Sequence, residues 1–207
     1  MPALDQRLPP TVFIVDDDES VRRGLARLIK SAGMAVVSFA SAQEFVQSYP
    51  RDVPGCLLLD IQMPGMSGLE LQEQMARYQI DLPVIFLTGH AEVPASVRAM
   101  KRGATDFLQK PVDGQVLIET ISQAMATNRL AREKGRVVKD IQRRVERLTE
   151  REREVMEGVI AGLLNKQIAD RLQIAEKTVK VHRRRVMEKL VVKSVAELVR
   201  LVTKVGR

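Results

Sequence analysis

Five short apolar runs, separated by stretches whose apolar residues recur every three or four positions, set the fold class of the first 125 residues of this chain. The runs are Thr11–Val15, Ala35–Phe39, Cys56–Leu59, Val84–Leu87 and Asp106–Leu108. They are too short for helices and lean on β-branched and aromatic side chains, so they read as buried strands. Between them, Val21, Leu25, Leu28 and Ile29 mark one face of a helix. Leu69, Leu71 and Met75 mark a second, and Val93, Val97 and Met100 a third. Gly33 and Gly103 fall where helices should end, and Ser41 with Glu44 fits a capping box at a helix start. Five such units predict an α/β fold, a five-stranded doubly wound parallel sheet covered by helices on both faces.

The rest of the chain is different material. Residues 1–125 hold 11 Lys/Arg against 15 Asp/Glu, a net −4, while residues 126–207 hold 22 against 11, a net +11. All nine prolines and all seven aromatic residues lie in the first part. This predicts two domains with two tasks, and a polyanionic partner for the basic one. Cys56 is the single cysteine, which excludes an internal disulfide and a cysteine-rich zinc site; its place in "GCLLLD" suits a small buried hydrophobe. No apolar run approaches membrane-spanning length and the N-terminus "MPALDQRLPP" lacks a secretory pattern, so a cytoplasmic protein without a membrane partner is expected.

From Val116 to about Leu148 the pattern is wholly helical. Ala131, Lys134, Val138, Ile141, Val145 and Leu148 step by three and four, and Gly135 weakens the stretch by about 1 kcal/mol relative to Ala. A solvated helical connector over 126–147 is the main expectation, with a dimerising coiled-coil segment as the alternative. Four helices follow in 148–207. Thr149 with Glu152 opens the first and Gly162 closes it, Asn165 caps "KQIADRL", and Ser194 with Glu197 caps the last. The three-residue turn "QIA" joins "KQIADRL" to "EKTVKVHRRRVMEKL", which makes a helix-turn-helix.

In an open parallel sheet, ligands bind beyond the carboxyl ends of the strands. Here the first strand runs into Asp16 and Asp17, the third into Asp60 and the fourth into Thr88, while Lys110 follows the fifth. Three clustered carboxylates raise one another's pKa, and a hard divalent cation such as Mg2+ relieves the conflict through oxygen ligands. Lys110 and Thr88 can grip an anionic oxygen beside them. Together these groups suit phosphoryl transfer to an aspartate, with position and charge neutralisation supplied by the protein.

The segments "VFIVDDDES", "LLLDIQMPGMSGLEL", "VIFLTGHAEV" and "DFLQKPV", in that order, resemble the receiver domain of bacterial two-component response regulators, a flavodoxin-like fold, over roughly residues 10–125. The resemblance implies that Asp60 accepts the phosphoryl group. It implies that Asp17 ligates Mg2+ with Asp60 and the backbone carbonyl of Gln62, and that Asp16 acts mainly through metal-bound water. Thr88 and Lys110 would hold the phosphoryl group, Phe107 with Thr88 would form the switch, and Lys110–Pro111 would be a cis peptide bond. Asp18 falls outside that set and reads as an N-cap. His90 reads as a loop residue.

In "EKTVKVHRRRVMEKL", Val179, Val186 and Leu190 share one face and should meet a core, which turns Lys180, Val181 and Arg184 outward to read bases in a major groove. Lys166, Thr178, His182 and Arg185 are candidate phosphate contacts. The absence of aromatics after residue 125 argues against single-strand binding. From Leu148 to about Val202 the sequence resembles the LuxR-type DNA-binding domain of FixJ/NarL-type regulators, which implies double-stranded DNA, dimeric binding to paired half-sites and transcriptional activation with RNA polymerase as partner.

The leading expectation is therefore a regulator phosphorylated on Asp60 by a sensor histidine kinase with Mg2+ bound, not an enzyme beyond assisting its own modification. Remodelling of Glu92–Arg102 and Thr105–Leu108 would make it a homodimer on phosphorylation. Two alternatives stand beside it. One is a haloacid-dehalogenase-like phosphatase with Asp16 as nucleophile and Asp18 as acid. The other is a constitutive DNA-binding protein whose first domain is only a scaffold.

Overall fold

The computed structural model describes residues 9–50, 53–89 and 103–203 of the chain. His90, the helix expected around Val93, Val97 and Met100, and the Glu92–Arg102 face lie outside them. The chain divides into two compact units, Met1–Arg132 and Glu133–Arg207.

The first unit is a five-stranded sheet of β1 (Thr11–Val15), β2 (Ala35–Phe39), β3 (Gly55–Asp60), β4 (Val84–Thr88) and β5 (Asp106–Gln109). The order is β2-β1-β3-β4-β5 and every pairing is parallel. Strands β1, β3 and β4 are buried along their whole length, as continuous apolar runs in a two-faced sheet should be. One face packs Phe13, Leu57, Leu59 and Phe86 against α2 (Ala42–Ser48) and α3 (Gly68–Gln74). The other packs Ile14, Leu58, Ile85 and Leu87 against α1 (Glu19–Ser31) and the start of α4 (Gly114–Glu146).

The helix ends follow their side chains. Asp18 caps α1 by accepting from the amides of Ser20 and Val21. Ser41 accepts from Glu44 N, and Gly33 takes the positive φ of +77° that closes α1. Asp113, unnoticed in the sequence, accepts from Gln115 N and Val116 N and starts α4. That helix runs unbroken through Gly135, with residues 133–137 exposed. Before that stretch it is tied to the sheet: buried Asn128 accepts from Gly55 N at 3.2 Å and donates to Asp81 O at 3.1 Å.

The second unit gathers α5 (Glu150–Ile160), α6 (Asn165–Leu172), α7 (Glu176–Leu190) and α8 (Val195–Thr203) around Val155, Ile168, Val179, Val186, Leu190 and Leu198. Thr149 and Glu152 form the expected capping box. Glu152 is buried and its carboxylate also takes Lys189 Nζ at 2.6 Å, which fastens α7 to the start of α5. Burial opposes its charge, but that ammonium and the Thr149 amide outweigh it and hold the carboxyl below its ordinary pKa. Gly158 permits close packing, since a Cβ there would meet Ile168 Cγ1 at 2.8 Å.

One cap differs from the sequence reading. Leu164, not Asn165, is the N-cap of α6, and Asn165 is its first helical residue. The Gln167 side chain reaches back to accept from Leu164 N at 2.8 Å, and the Asn165 carboxamide oxygen accepts from Arg183 Nη1 at 2.9 Å.

Candidate functional site

The carboxyl ends of β1, β3, β4 and β5 bring their polar residues together. Lys110 Nζ lies 2.6 Å from Asp16 Oδ2 and 2.8 Å from Asp60 Oδ2, an ammonium bridging two carboxylates. Asp16 is fully buried, and Asp60 and Thr88 are nearly so, while Asp17 is exposed. The remaining Asp16 oxygen accepts from Asp18 N at 2.9 Å, and Asp60 Oδ1 accepts from Gln62 N at 3.3 Å. Lys110 N donates to Thr88 O at 2.7 Å, so the ends of β4 and β5 are locked side by side. The Lys110–Pro111 bond is cis, as the resemblance implied.

Electrostatics explain why the ammonium belongs there. Burial raises the Asp16 pKa above its ordinary value, and the hydrogen bonds from Lys110 and Asp18 offset this only in part. Burial also works against the Lys110 charge, but the hydrogen bonds and charges of Asp16 and Asp60 lift its pKa above the ordinary lysine value. The ammonium stays on.

Asp16, Asp17 and Asp60 each offer a carboxylate oxygen within 4.8 Å of the others, the one such grouping of three or more potential metal ligands among the described residues. This all-oxygen donor set fits a hard cation such as Mg2+ and suits zinc or copper poorly.

Two residues that shape this site escaped the sequence reading. Arg22 Nη1 donates to Asp16 O at 2.7 Å and fixes the loop after β1 from the first turn of α1. Gly68 lies against the Asp60 carbonyl, where a Cβ would come within 2.1 Å of that oxygen and 3.0 Å of Leu59 Cγ. A loop that folds back over the end of its own strand needs a residue without a side chain there. The "PGMSG" composition was the available signal. Phe107 is half-buried with its ring centroid 6.4 Å from that of Phe86.

The geometry speaks against the phosphatase alternative. Asp18, its required acid, already accepts from Ser20 N at 2.7 Å and Val21 N at 3.2 Å as the cap of α1.

On α7, Val179, Val186 and Leu190 are buried, while Lys180, Val181 and Arg184 are exposed on the outside. Lys166 and Arg185 are exposed, whereas Thr178 and His182 are half-buried. His182 Nδ1 is buried with no hydrogen-bond partner among the described residues. The three consecutive arginines divide their work: Arg183 turns inward to Asn165, Arg184 lies 3.6 Å from Glu188, and Arg185 makes no ion pair or hydrogen bond among the described residues. No helix among the described residues is long and apolar enough to cross a membrane.

Comparison with known proteins agrees with both halves. Residues 12–122 match the family described as response regulator receiver domain, and residues 146–202 match that of bacterial regulatory proteins, luxR family. Nodulation protein W of Bradyrhizobium diazoefficiens is 46% identical over 94% of this chain and 86% of its own length. The transcriptional regulatory protein FixJ of the same organism is 42% identical over 94% of this chain and 95% of its own. Among solved structures, that of response regulator StyR is 47% identical, covers 95% of this chain and 100% of its own, and superposes with a TM-score of 0.88.

Proposed function

Because the chain belongs to the response regulators that join a receiver domain to a LuxR-type DNA-binding domain, we propose that Asp60 is the phosphoacceptor through which this phosphorylation-dependent transcriptional regulator is controlled. The observation that carries the assignment is the Lys110 bridge. It neutralises a buried carboxylate, Asp16, and holds Asp60 at the mouth of the same crevice. Asp16, Asp17 and Asp60, with the backbone carbonyl of Gln62, would hold Mg2+, which when bound supplies charge neutralisation for the transferring phosphoryl group.

The protein's own groups do the rest. A sensor histidine kinase presents a phosphoimidazole. An Asp60 oxygen forms the new P–O bond as the P–N bond breaks, and the departing imidazole takes up a proton. Asp60 thereby loses its carboxylate character, so Lys110 exchanges one of its two partners for a phosphoryl oxygen. Thr88, already fixed to the Lys110 backbone, donates its hydroxyl to the same group. Phe107 follows Thr88, and the receiver surface beside it is remodelled toward a homodimer.

An apolar groove beside the site, formed by Val21, Leu25 and Leu28 of α1 with Pro111 and Val112, opens on Lys110 and offers the kinase a seat. In the DNA-binding domain, α7 enters the major groove of double-stranded DNA. Lys180, Val181 and Arg184 face base edges, and Lys166, Thr178, His182 and Arg185 face phosphates. Activation through RNA polymerase, and the division of labour into 1–125, 126–147 and 148–207, complete the reading.

The test is direct. The protein is incubated with acetyl phosphate and Mg2+, trapped, digested and mapped by mass spectrometry. A modified Asp60, and no modification in Asp60→Asn, is the expected result; label on Asp16 or Asp17 would refute the assignment.

A further inference from the structure

The recognition helix α7 carries acids where a helix built only to attract DNA would not. Its first residue, Glu176, lies 3.1 Å from Lys180 Nζ, and both side chains are about half exposed or more. Arg184 is paired in the same way with Glu188. Lys177 and Arg185, by contrast, make no ion pair or hydrogen bond among the described residues. The strongest outward cations are thus not alike: two are neutralised by their own helix and two are free.

Position separates the two acids. Residues at the N-terminus of a recognition helix reach base edges, whereas its last turn does not. Glu176 stands at the N-terminus, one turn before Lys180 on the same face, and Glu188 stands in the last turn. A carboxylate accepts from the N4 amine of cytosine, and a lysine donates to O6 and N7 of guanine. The pair therefore offers the major groove an acceptor and a donor side by side.

We propose that Glu176 is a specificity-determining residue that reads a cytosine, in the same base pair as the guanine met by Lys180 or in the adjoining one. This rests on α7 being the helix that enters the groove. Its carboxylate also repels phosphates, so it penalises binding in which α7 lies on the backbone instead of in the groove. Lys180 is thereby reserved for a base.

The bland account is that Glu176 only stabilises the first turn, as an acid there does through the helix dipole and an i,i+4 pair. Selection from a random duplex pool separates the two, run with the full chain, Glu176→Ala and Glu176→Gln, with circular dichroism on each. The expected result is a motif in which Glu176→Ala loses discrimination for cytosine at one position of each half-site by about tenfold and keeps the rest. Glu176→Gln should shift that position toward adenine. Identical motifs for the unaltered chain and Glu176→Ala, both folded, would overturn the proposal while leaving the groove assignment intact. If the unaltered chain itself selects no sequence, the groove assignment fails and this inference with it.

Discussion

Lys110 keeps about a fifth of its side chain exposed between two carboxylates that lie 94 and 50 residues away in sequence. Lys180 keeps about two thirds exposed and pairs with a glutamate four residues back on its own helix. The first arrangement is assembled from the ends of β1, β3 and β5 and sits where water and salt reach it poorly, so its geometry is set by the fold. The second is local, solvated and screened, so rearranging it costs little when DNA approaches. The receiver half thus stores its charge in a fixed geometry, and the DNA-binding half keeps its charge exchangeable.

Substitutions can break that contrast, and the largest effect belongs to the rigid half. Gly68→Ala would put a Cβ 2.1 Å from the Asp60 carbonyl. The loop after β3 must move, so the first unit should lose about 3 kcal/mol in urea denaturation and phosphorylate more slowly, with DNA binding by the second unit little changed. A full phosphorylation rate in this variant would show the loop to be looser than described. Asn128→Ala comes next. It strands the Gly55 amide and the Asp81 carbonyl, and should cost about 2 kcal/mol in the same measurement.

The exchangeable half should show smaller effects. Val191 follows α7 with φ +55°, a β-branched residue in left-handed backbone, and 71% of it is exposed. Val191→Gly should raise the melting midpoint of the second unit, a gain of about 1 kcal/mol. No gain would mean that the valine is unstrained. The smallest effect is one of pH. Glu152 has a folded pKa held below its unfolded value, so its contribution is present above the unfolded value, about pH 4.3, and is lost as pH falls through the folded one. The stability difference between the protein and Glu152→Gln should therefore shrink as acid is added below pH 4.3, and a gap independent of pH would exclude the charge as its origin.

The same contrast decides what could be read in advance. Strand starts, to within one residue, and the gathering of Asp16, Asp17 and Asp60 at the strand ends were legible because apolar runs end where carboxylates begin. Three strands nevertheless extend to Asp60, Thr88 and Gln109, since a polar residue can complete the ladder that the hydrophobic pattern appears to close. The cap at Leu164 was hidden because leucine carries no capping group, and the helix start is marked instead by the Gln167 side chain, which accepts from Leu164 N. Asn128 follows Leu117, Ile121 and Ala124 on one buried stripe, but nothing in its type announced that it would tie α4 to the start of β3 at Gly55 and to Asp81 ahead of β4. Which of Arg183, Arg184 and Arg185 turns inward was likewise beyond the sequence, because it depends on where α6 places Asn165.

The central claim is that chemistry at Asp60 governs what α7 does on DNA. It is tested most directly by measuring occupancy of a selected duplex with the full chain before and after stoichiometric phosphorylation by acetyl phosphate and Mg2+, with Asp60→Asn in parallel. Occupancy that rises with the phosphorylated fraction, and stays flat in Asp60→Asn, is the predicted result. Equal occupancy at zero and full phosphorylation would contradict the account.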